Sequence, residues 1–226
     1  MLKYVKVNIK QIIILCCTVS QLEKVKYIAP DWDEIYDLLL KLAKKIVDDN
    51  YHPDSIVGIA RGGWIVARIL SDLLDIKDVA NIRVEFYDDI LLTRDHPRIT
   101  QEVSVNVERK KILLCDDVAD TGKSLKTASD YLKERGASEV RIATLHLKPT
   151  SIVCPDYYVS ETDAWIIYPW EIFETVKSIT RKLENKGKSP EEIKKQLTRT
   201  NLQPKYIDYF MNWIKLIERY SARKND

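Results

Sequence analysis

The sequence predicts an α/β fold, a mainly parallel twisted sheet flanked by helices, followed by a helical C-terminal appendage. Three observations carry that expectation. Short apolar runs at 55–60, 79–86, 112–115 and 139–147 alternate with stretches of helical periodicity, the order that builds parallel sheets from strand and crossover helix. Two of these runs end in turns rich in glycine or carboxylates just before a helix begins. Beyond residue 171 only helical patterning remains. The chain then divides into an N-terminal extension 1–27, a core 28–171 and the appendage 172–226.

The elements follow in order. Asp31-Trp32-Asp33-Glu34 offers an N-cap and a capping-box glutamate ahead of Ile35, Leu38, Leu39, Leu42 and Ile46, an amphipathic helix that covers a sheet face. Ser55 to Ala60 reads as a strand, Arg61-Gly62-Gly63 as a tight loop, and Trp64 to Leu74 as a helix. The unit repeats with a strand from Val79 to Phe86. A polar connection from Asp88 to about Gln101 carries Asp89, Arg94, Asp95, His96, Arg98 and Thr100, and is long enough to serve as a lid. His96 is a loop histidine in this reading, not a catalyst. The alternation of Val103, Val105 and Val107 predicts another strand, before the run Ile112–Cys115, a helix closed by Gly136, and a strand from Glu139 to Leu147.

In the appendage, Glu171 to Leu183 reads as a helix, and Ser189-Pro190-Glu191-Glu192 is a capping box with proline at the first helical position. Tyr206, Phe210, Trp213, Ile214 and Ile217 recur at helical spacing and read as a packing face.

With 226 residues, 45% hydrophobic and 31% charged, the chain has material for one main domain and an addition to it. A net charge of +2 gives no argument for nucleic-acid binding. Cys16, Cys17, Cys115 and Cys154 lack metal-ligand spacing, which predicts a reduced, cytoplasmic protein. The apolar run Ile12–Val19, preceded by Lys3, Lys6 and Lys10, superficially resembles a secretory signal. It is too short to span a bilayer as a helix, and is read as an extra strand or an extension outside the core, with no membrane anchor.

The chemistry concentrates in Ile112 to Ser124. A greasy strand runs into Asp116 and Asp117, then Asp120, then Thr121-Gly122-Lys123-Ser124 at a nascent helix start. Backbone N–H groups, two hydroxyls and an ammonium at a helix N-terminus make an anion site. The paired acids can accept hydrogen bonds from hydroxyls or hold a hard cation. A ligand carrying both a phosphate and vicinal hydroxyls fits. A P-loop does not, because it needs glycine where Asp117 stands. The plain alternative is a strand-turn-helix with solvated acids and Asp120 or Thr121 as N-cap.

In this order of strand, acid pair, third acid, Thr-Gly and helix, the segment resembles the phosphoribosyl pyrophosphate (PRPP) signature of type I phosphoribosyltransferases. The resemblance implies that Asp116 and Asp117 bind the ribose hydroxyls and that Thr121, Gly122, Lys123 and Ser124 hold the 5'-phosphate. It places Asp120 beside the purine imidazole as the catalytic acid/base. Arg61, Gly62 and Gly63 resemble the family's pyrophosphate loop, for which a cis peptide after Arg61 is implied. The connection from Asp88 corresponds to a mobile hood that closes over PRPP, although Glu85-Phe86-Tyr87-Asp88 follows the family's pattern only loosely.

The acceptor is read from two further features. Lys148 follows the strand 139–147, and an ammonium only donates hydrogen bonds, so it suits O6 of a 6-oxopurine and mismatches the amino group of adenine. The arrangement Asp163-Ala164-Trp165-Ile166-Ile167-Tyr168-Pro169-Trp170-Glu171 resembles the base-binding end of microbial xanthine-guanine phosphoribosyltransferases. By that resemblance Trp165 stacks on the purine, main-chain groups around Ile166 read its edge, and Glu171, a glutamate where the family has aspartate, helps hold metal and pyrophosphate. Trp170 reads as a core residue. The implied cofactor is Mg2+, with Asp116, Asp117 and Glu171 as its protein ligands.

The implied reaction is purine salvage: transfer of the phosphoribosyl group from PRPP to N9 of guanine, xanthine or hypoxanthine, giving the nucleoside 5'-monophosphate and pyrophosphate. The resemblance also implies a homodimer or larger homo-oligomer. Two readings stand beside it, transfer to another base (adenine, orotate or uracil) and a regulatory protein of this fold that binds nucleic acid.

Overall fold

The computed structural model describes residues 25–87 and 96–222. Their elements are β1 (Tyr27–Ile28), α1 (Trp32–Asp48), β2 (Ser55–Ala60), α2 (Gly62–Leu73), β3 (Val79–Tyr87), β4 (His96–Gln101), β5 (Lys111–Ala119), α3 (Lys123–Glu134), β6 (Glu139–Leu147), β7 (Tyr157–Glu161), β8 (Trp165–Ile166), α4 (Ile172–Glu184), α5 (Pro190–Leu197) and α6 (Pro204–Ala222). Chain contacts divide them into two compact units. One is Asp33–Asp163; the other joins the residues up to Trp32 with those from Ala164 onward. Residues 164–171, placed in the core segment by sequence, thus pack with the helices that follow them.

The first unit holds a six-stranded sheet in the order β4-β3-β2-β5-β6-β7. β2, β3, β5, β6 and β7 pair in parallel, and β4 alone runs antiparallel, on β3. The connection leaves β2 toward β3 and later returns to β5 on the opposite side of β2, so the strand order switches between β2 and β5. Ligands of open α/β sheets bind outside the carboxyl ends of strands at such a point.

Local rules explain most elements. In α1 the apolar positions Ile35, Leu39, Leu42, Ala43 and Ile46 fall on one buried stripe, with Leu38 half-buried at its margin. β5 is buried from Ile112 to Cys115, as a strand covered on both faces must be. One side of the sheet packs Val57, Ile59, Ile82, Ile112 and Leu114 with Leu125, Ala128 and Leu132 of α3. Just past the C-cap of α3, Arg135, stands Gly136, whose φ of 88° suits a residue without Cβ, and Ala137 N bonds Leu132 O at 3.1 Å to close the turn.

Several expectations need correction. The valines at 103–107 form no strand: Val103, Val105 and Val107 do pack on the core, but their backbone bends and finds no ladder partner. Asn106 Oδ1 instead accepts from Glu108 N at 3.0 Å. The antiparallel strand is formed earlier, by His96–Gln101, whose first residue pairs with Tyr87, so His96 begins a strand and is not in a loop. β5 extends through both acids to Ala119, because β6 supplies ladder partners as far as Leu147. The short strand β7, absent from the sequence reading, opens with the strand-favouring residues Tyr157, Tyr158 and Val159 and pairs in parallel with β6. The segment 88–95, containing most of the expected hood, and the run Ile12–Val19 lie outside the described residues.

In the second unit β1 and β8 pair in parallel beside a cluster of Tyr27, Ile167, Ile172, Val176, Ile179, Leu183, Ile193, Leu197, Leu202, Ile207 and Ile214. The capping box is present as read: Ser189 Oγ accepts from Glu192 N at 3.3 Å, and Ser189 N donates to Glu192 Oε2 at 2.9 Å. On α6 the inner face is centred on Ile207 and Ile214. Trp213, assigned to that face from sequence, keeps 40% of its surface exposed; spacing alone does not say which half of a wide apolar arc meets a neighbour. Among the described residues no helix is long and apolar enough to cross a membrane.

Candidate active site

The site of the first unit forms where β2, β5 and β6 end. Arg61 is the N-cap of α2, and Gly62 and Gly63 are its first helical residues, so the expected loop is tighter than the sequence suggested: the helix starts at Gly62, not at Trp64. The peptide Ala60–Arg61 is cis. The implied cis bond after Arg61 is therefore corrected to the bond before it, where β2 ends and the chain turns into α2.

The two glycines are required by what lies against them. A Cβ on Gly62 would overlap the Asp117 carboxylate, reaching within 2.6 Å of its Cγ, and one on Gly63 would come within 2.8 Å of Asp116 Cα. A side chain at Gly63 would have to displace the β5 backbone, and one at Gly62 the Asp117 carboxylate. The paired acids thus pack directly on the Arg61-Gly62-Gly63 turn. Asp116 Oδ1 accepts from Asp117 N at 2.9 Å, and Asp117 is almost wholly buried.

Asp120 follows the end of β5, and Gly122 is the N-cap of α3 with a left-handed φ of 75°. The first bond of the helix ladder runs from Lys126 N to Gly122 O at 2.9 Å, which leaves the preceding amides of the turn outside it. Lys123 N bonds Thr121 Oγ1 at 3.4 Å. Thr121, Gly122, Lys123 and Ser124 therefore occupy a glycine-bent helix N-terminus suited to a phosphate.

A segment that sequence reasoning passed over wraps this turn. Lys148 N bonds Ala119 O at 2.9 Å, Ile152 N bonds Thr121 O at 3.0 Å, and Thr150 Oγ1 donates to Asp120 O at 3.1 Å. Ser151 Oγ and Val153 N fill the space a Cβ at Gly122 would need. These bonds set the Lys148 side chain, whose Nζ lies 3.5 Å from Asp120 Oδ1. Lys148 is 14% exposed and Asp120 32%, so solvent and salt screen the pair less than a surface pair. At neighbouring strand ends the site presents a donor and an acceptor side by side.

His146 also went unassigned. It lies in β6, almost fully buried, and burial lowers its pKa from 6.5 to about 4, opposed in part by the charge of Asp117. The imidazole is neutral at physiological pH. The one signal available was a histidine within an otherwise apolar strand. Burial likewise pushes the Cys115 thiol far up, so it is an inert core residue.

The other expected site residues belong to the second unit. Trp165 is half-buried against the local core, and its backbone N–H donates to Lys26 O at 2.8 Å. Ile166 is buried in β8, opposite Ile28. Trp170 is half-buried, not a full core residue; it stacks on Tyr168 at 4.8 Å. Glu171 is the N-cap of α4. Among the described residues no group of three or more His, Cys, Asp or Glu could hold a metal by itself.

A parallel sheet that switches strand order beside an acid pair, a glycine turn and a helix N-terminus has the layout in which open α/β folds receive anionic ligands. Residues 31–178 match the phosphoribosyl transferase domain family, and the chain belongs to that family. It is similar to the xanthine-guanine phosphoribosyltransferase of Cereibacter sphaeroides, 30% identical over 150 residues that cover 62% of this chain and 84% of that protein. Among solved structures, the purine phosphoribosyltransferase from Pyrococcus horikoshii superposes with a TM-score of 0.57 at 38% identity, covering 64% of this chain and 93% of that one. The Helicobacter pylori xanthine-guanine-hypoxanthine phosphoribosyltransferase shares the fold, with a TM-score of 0.59 at 22% identity over 67% of this chain and 99% of that one.

Proposed function

We propose that this chain transfers the phosphoribosyl group of PRPP to N9 of a 6-oxopurine, releasing pyrophosphate and a nucleoside 5'-monophosphate. The observation that carries the acceptor class is the 3.5 Å pair of Lys148 and Asp120. A 6-oxopurine whose N9 attacks carries O6 and N7–H side by side, an acceptor next to a donor. Lys148 donates to the first and Asp120 accepts from the second. Adenine would set an amino group against the ammonium.

Asp116 and Asp117 take the ribose hydroxyls, and Thr121 to Ser124 hold the 5'-phosphate. Arg61 with the amides of Gly62 and Gly63 receives the pyrophosphate, offsetting charge on the leaving group. As the C1–O bond to pyrophosphate breaks, N9 gives its electron pair to C1 and the N7 proton passes to Asp120, a general base. By resemblance alone, Trp165 and the main chain at Ile166 are assigned to the base. The donor set would suit Mg2+ carried in with the substrate, since Mg2+ commonly uses one or two carboxylates plus phosphate oxygens: Asp116 and Asp117 would hold it, with Glu171 assigned by resemblance. When bound it neutralises pyrophosphate charge. The reading includes a cytoplasmic homo-oligomer.

Steady-state kinetics with PRPP, Mg2+ and guanine, xanthine, hypoxanthine or adenine test it. Turnover of at least one 6-oxopurine with kcat/KM well above that for adenine is the expected result. Turnover of adenine alone would contradict the role of Lys148.

A further inference from the structure

Helix α6 carries more apolar surface than its unit covers. Ile207 and Ile214 are buried, and Tyr206, Phe210 and Met211 pack beside them. A second row, Tyr209, Trp213, Leu216 and Tyr220, is spaced four, three and four residues, which aligns it on one helical stripe. Its members keep 59%, 40%, 51% and 72% of their surface exposed. Taking large aromatic side chains at roughly 150–250 Å2 each, the stripe exposes on the order of 400 Å2. A patch of that size marks an interaction site, and supplies about half of one partner's share of a standard interface.

The stripe is symmetric about its midpoint, with tyrosines outside and Trp213 and Leu216 inside. Laid antiparallel on itself, it sets Tyr209 against Tyr220 and the large Trp213 against the smaller Leu216. Its flank is self-complementary too. Asp208 borders the first tyrosine and Arg219 the last, so antiparallel pairing brings the Asp208 carboxylate of one copy near the Arg219 guanidinium of the other. Arg219 makes no ion pair among the described residues, and Asp208 holds only an exposed pair with Lys194 at 2.5 Å. An aromatic centre with charged flanks is the composition of protein interfaces.

We propose that the outer face of α6 is an isologous homodimer interface, occupied by the same face of a second copy. The inference rests on the homo-oligomer of the proposed function and names the face that forms it; it is separate from base specificity, since no residue of the stripe is assigned to the site. Sedimentation equilibrium of the full chain over a wide concentration range should show a monomer–dimer equilibrium. Trp213→Glu should raise the dissociation constant about 30-fold or more, the loss of one central aromatic hot spot. Arg219→Asp should also weaken the dimer, and the double variant Asp208→Arg/Arg219→Asp should restore it. Circular dichroism melting confirms that each variant folds, and the exposed charge swap decides the matter if Trp213→Glu does not. A chain that stays monomeric, a dimer indifferent to Trp213→Glu, or a charge swap without recovery overturns the proposal.

Discussion

Lys148 Nζ stands 3.5 Å from Asp120 Oδ1, a donor and an acceptor brought together from the ends of two adjacent strands, β5 and β6. The main chains beneath them are joined as well, through Lys148 N to Ala119 O and Thr150 Oγ1 to Asp120 O. The side chains are therefore oriented by the sheet and the turn around Gly122, ahead of any ligand.

Removing the acceptor should strike chemistry more than binding. Asp120→Asn keeps the shape and loses the base, so kcat should fall roughly 10^2 to 10^4-fold while PRPP affinity changes little. Lys148→Met should instead erode the preference for 6-oxopurines over adenine by 10-fold or more, read as a ratio of kcat/KM values. Equal losses for all bases would count against the assigned contact with O6.

Gly62→Ala tests the close approach of the α2 turn to β5. Its Cβ would enter the Asp117 carboxylate, and Asp117 is buried with little room to move. We expect a stability loss of about 1–3 kcal/mol and a clear rise in the KM for PRPP. Chemical denaturation gives the first and initial rates the second. A variant indistinguishable from the parent would show that the turn and the acids are not packed as described.

The buried His146 makes stability depend on pH. Its folded pKa of about 4 lies below the ordinary 6.5, so between these values the unfolded chain binds the proton and the folded chain does not. Stability from this group is present above pH 6.5 and is lost as pH falls toward 4, by up to about 3 kcal/mol. His146→Gln should flatten the slope of unfolding free energy over that window in urea titrations. Persistence of the full slope would assign it to other groups.

In the appendage, Ser189→Ala removes the acceptor for Glu192 N. The expected cost is about 1 kcal/mol, seen as a lower melting temperature with unchanged steady-state kinetics per folded molecule.

Much of this was legible beforehand. The strand Ser55–Ala60 and the capping box at Ser189 were read with their observed bounds, because a strand period, a cap or a turn is written in neighbouring residues. The valines at 103–107 misled for the same reason. Their alternation is real and buries them, but a strand also needs a ladder partner, and the antiparallel place on β3 was taken by His96–Gln101. β7 shows the converse: Tyr157-Tyr158-Val159 favours a strand, but five residues without polar alternation are too short a pattern to place it, and its pairing with β6 does so.

By itself, the sequence determined the alternation of strands and helices, the acid-rich turn into α3 and the donors that follow it, all short-range patterns governed by local periodicity and backbone preference. Only the tertiary structure decided that β2 lies between β3 and β5, which sets Gly62 and Gly63 against Asp117 and Asp116, and that β6 lies beside β5, which sets Lys148 against Asp120. It also decided that His146 is buried and that one row of α6 is not. Strand order and burial arise from packing between residues far apart in the chain, and no local window contains those contacts.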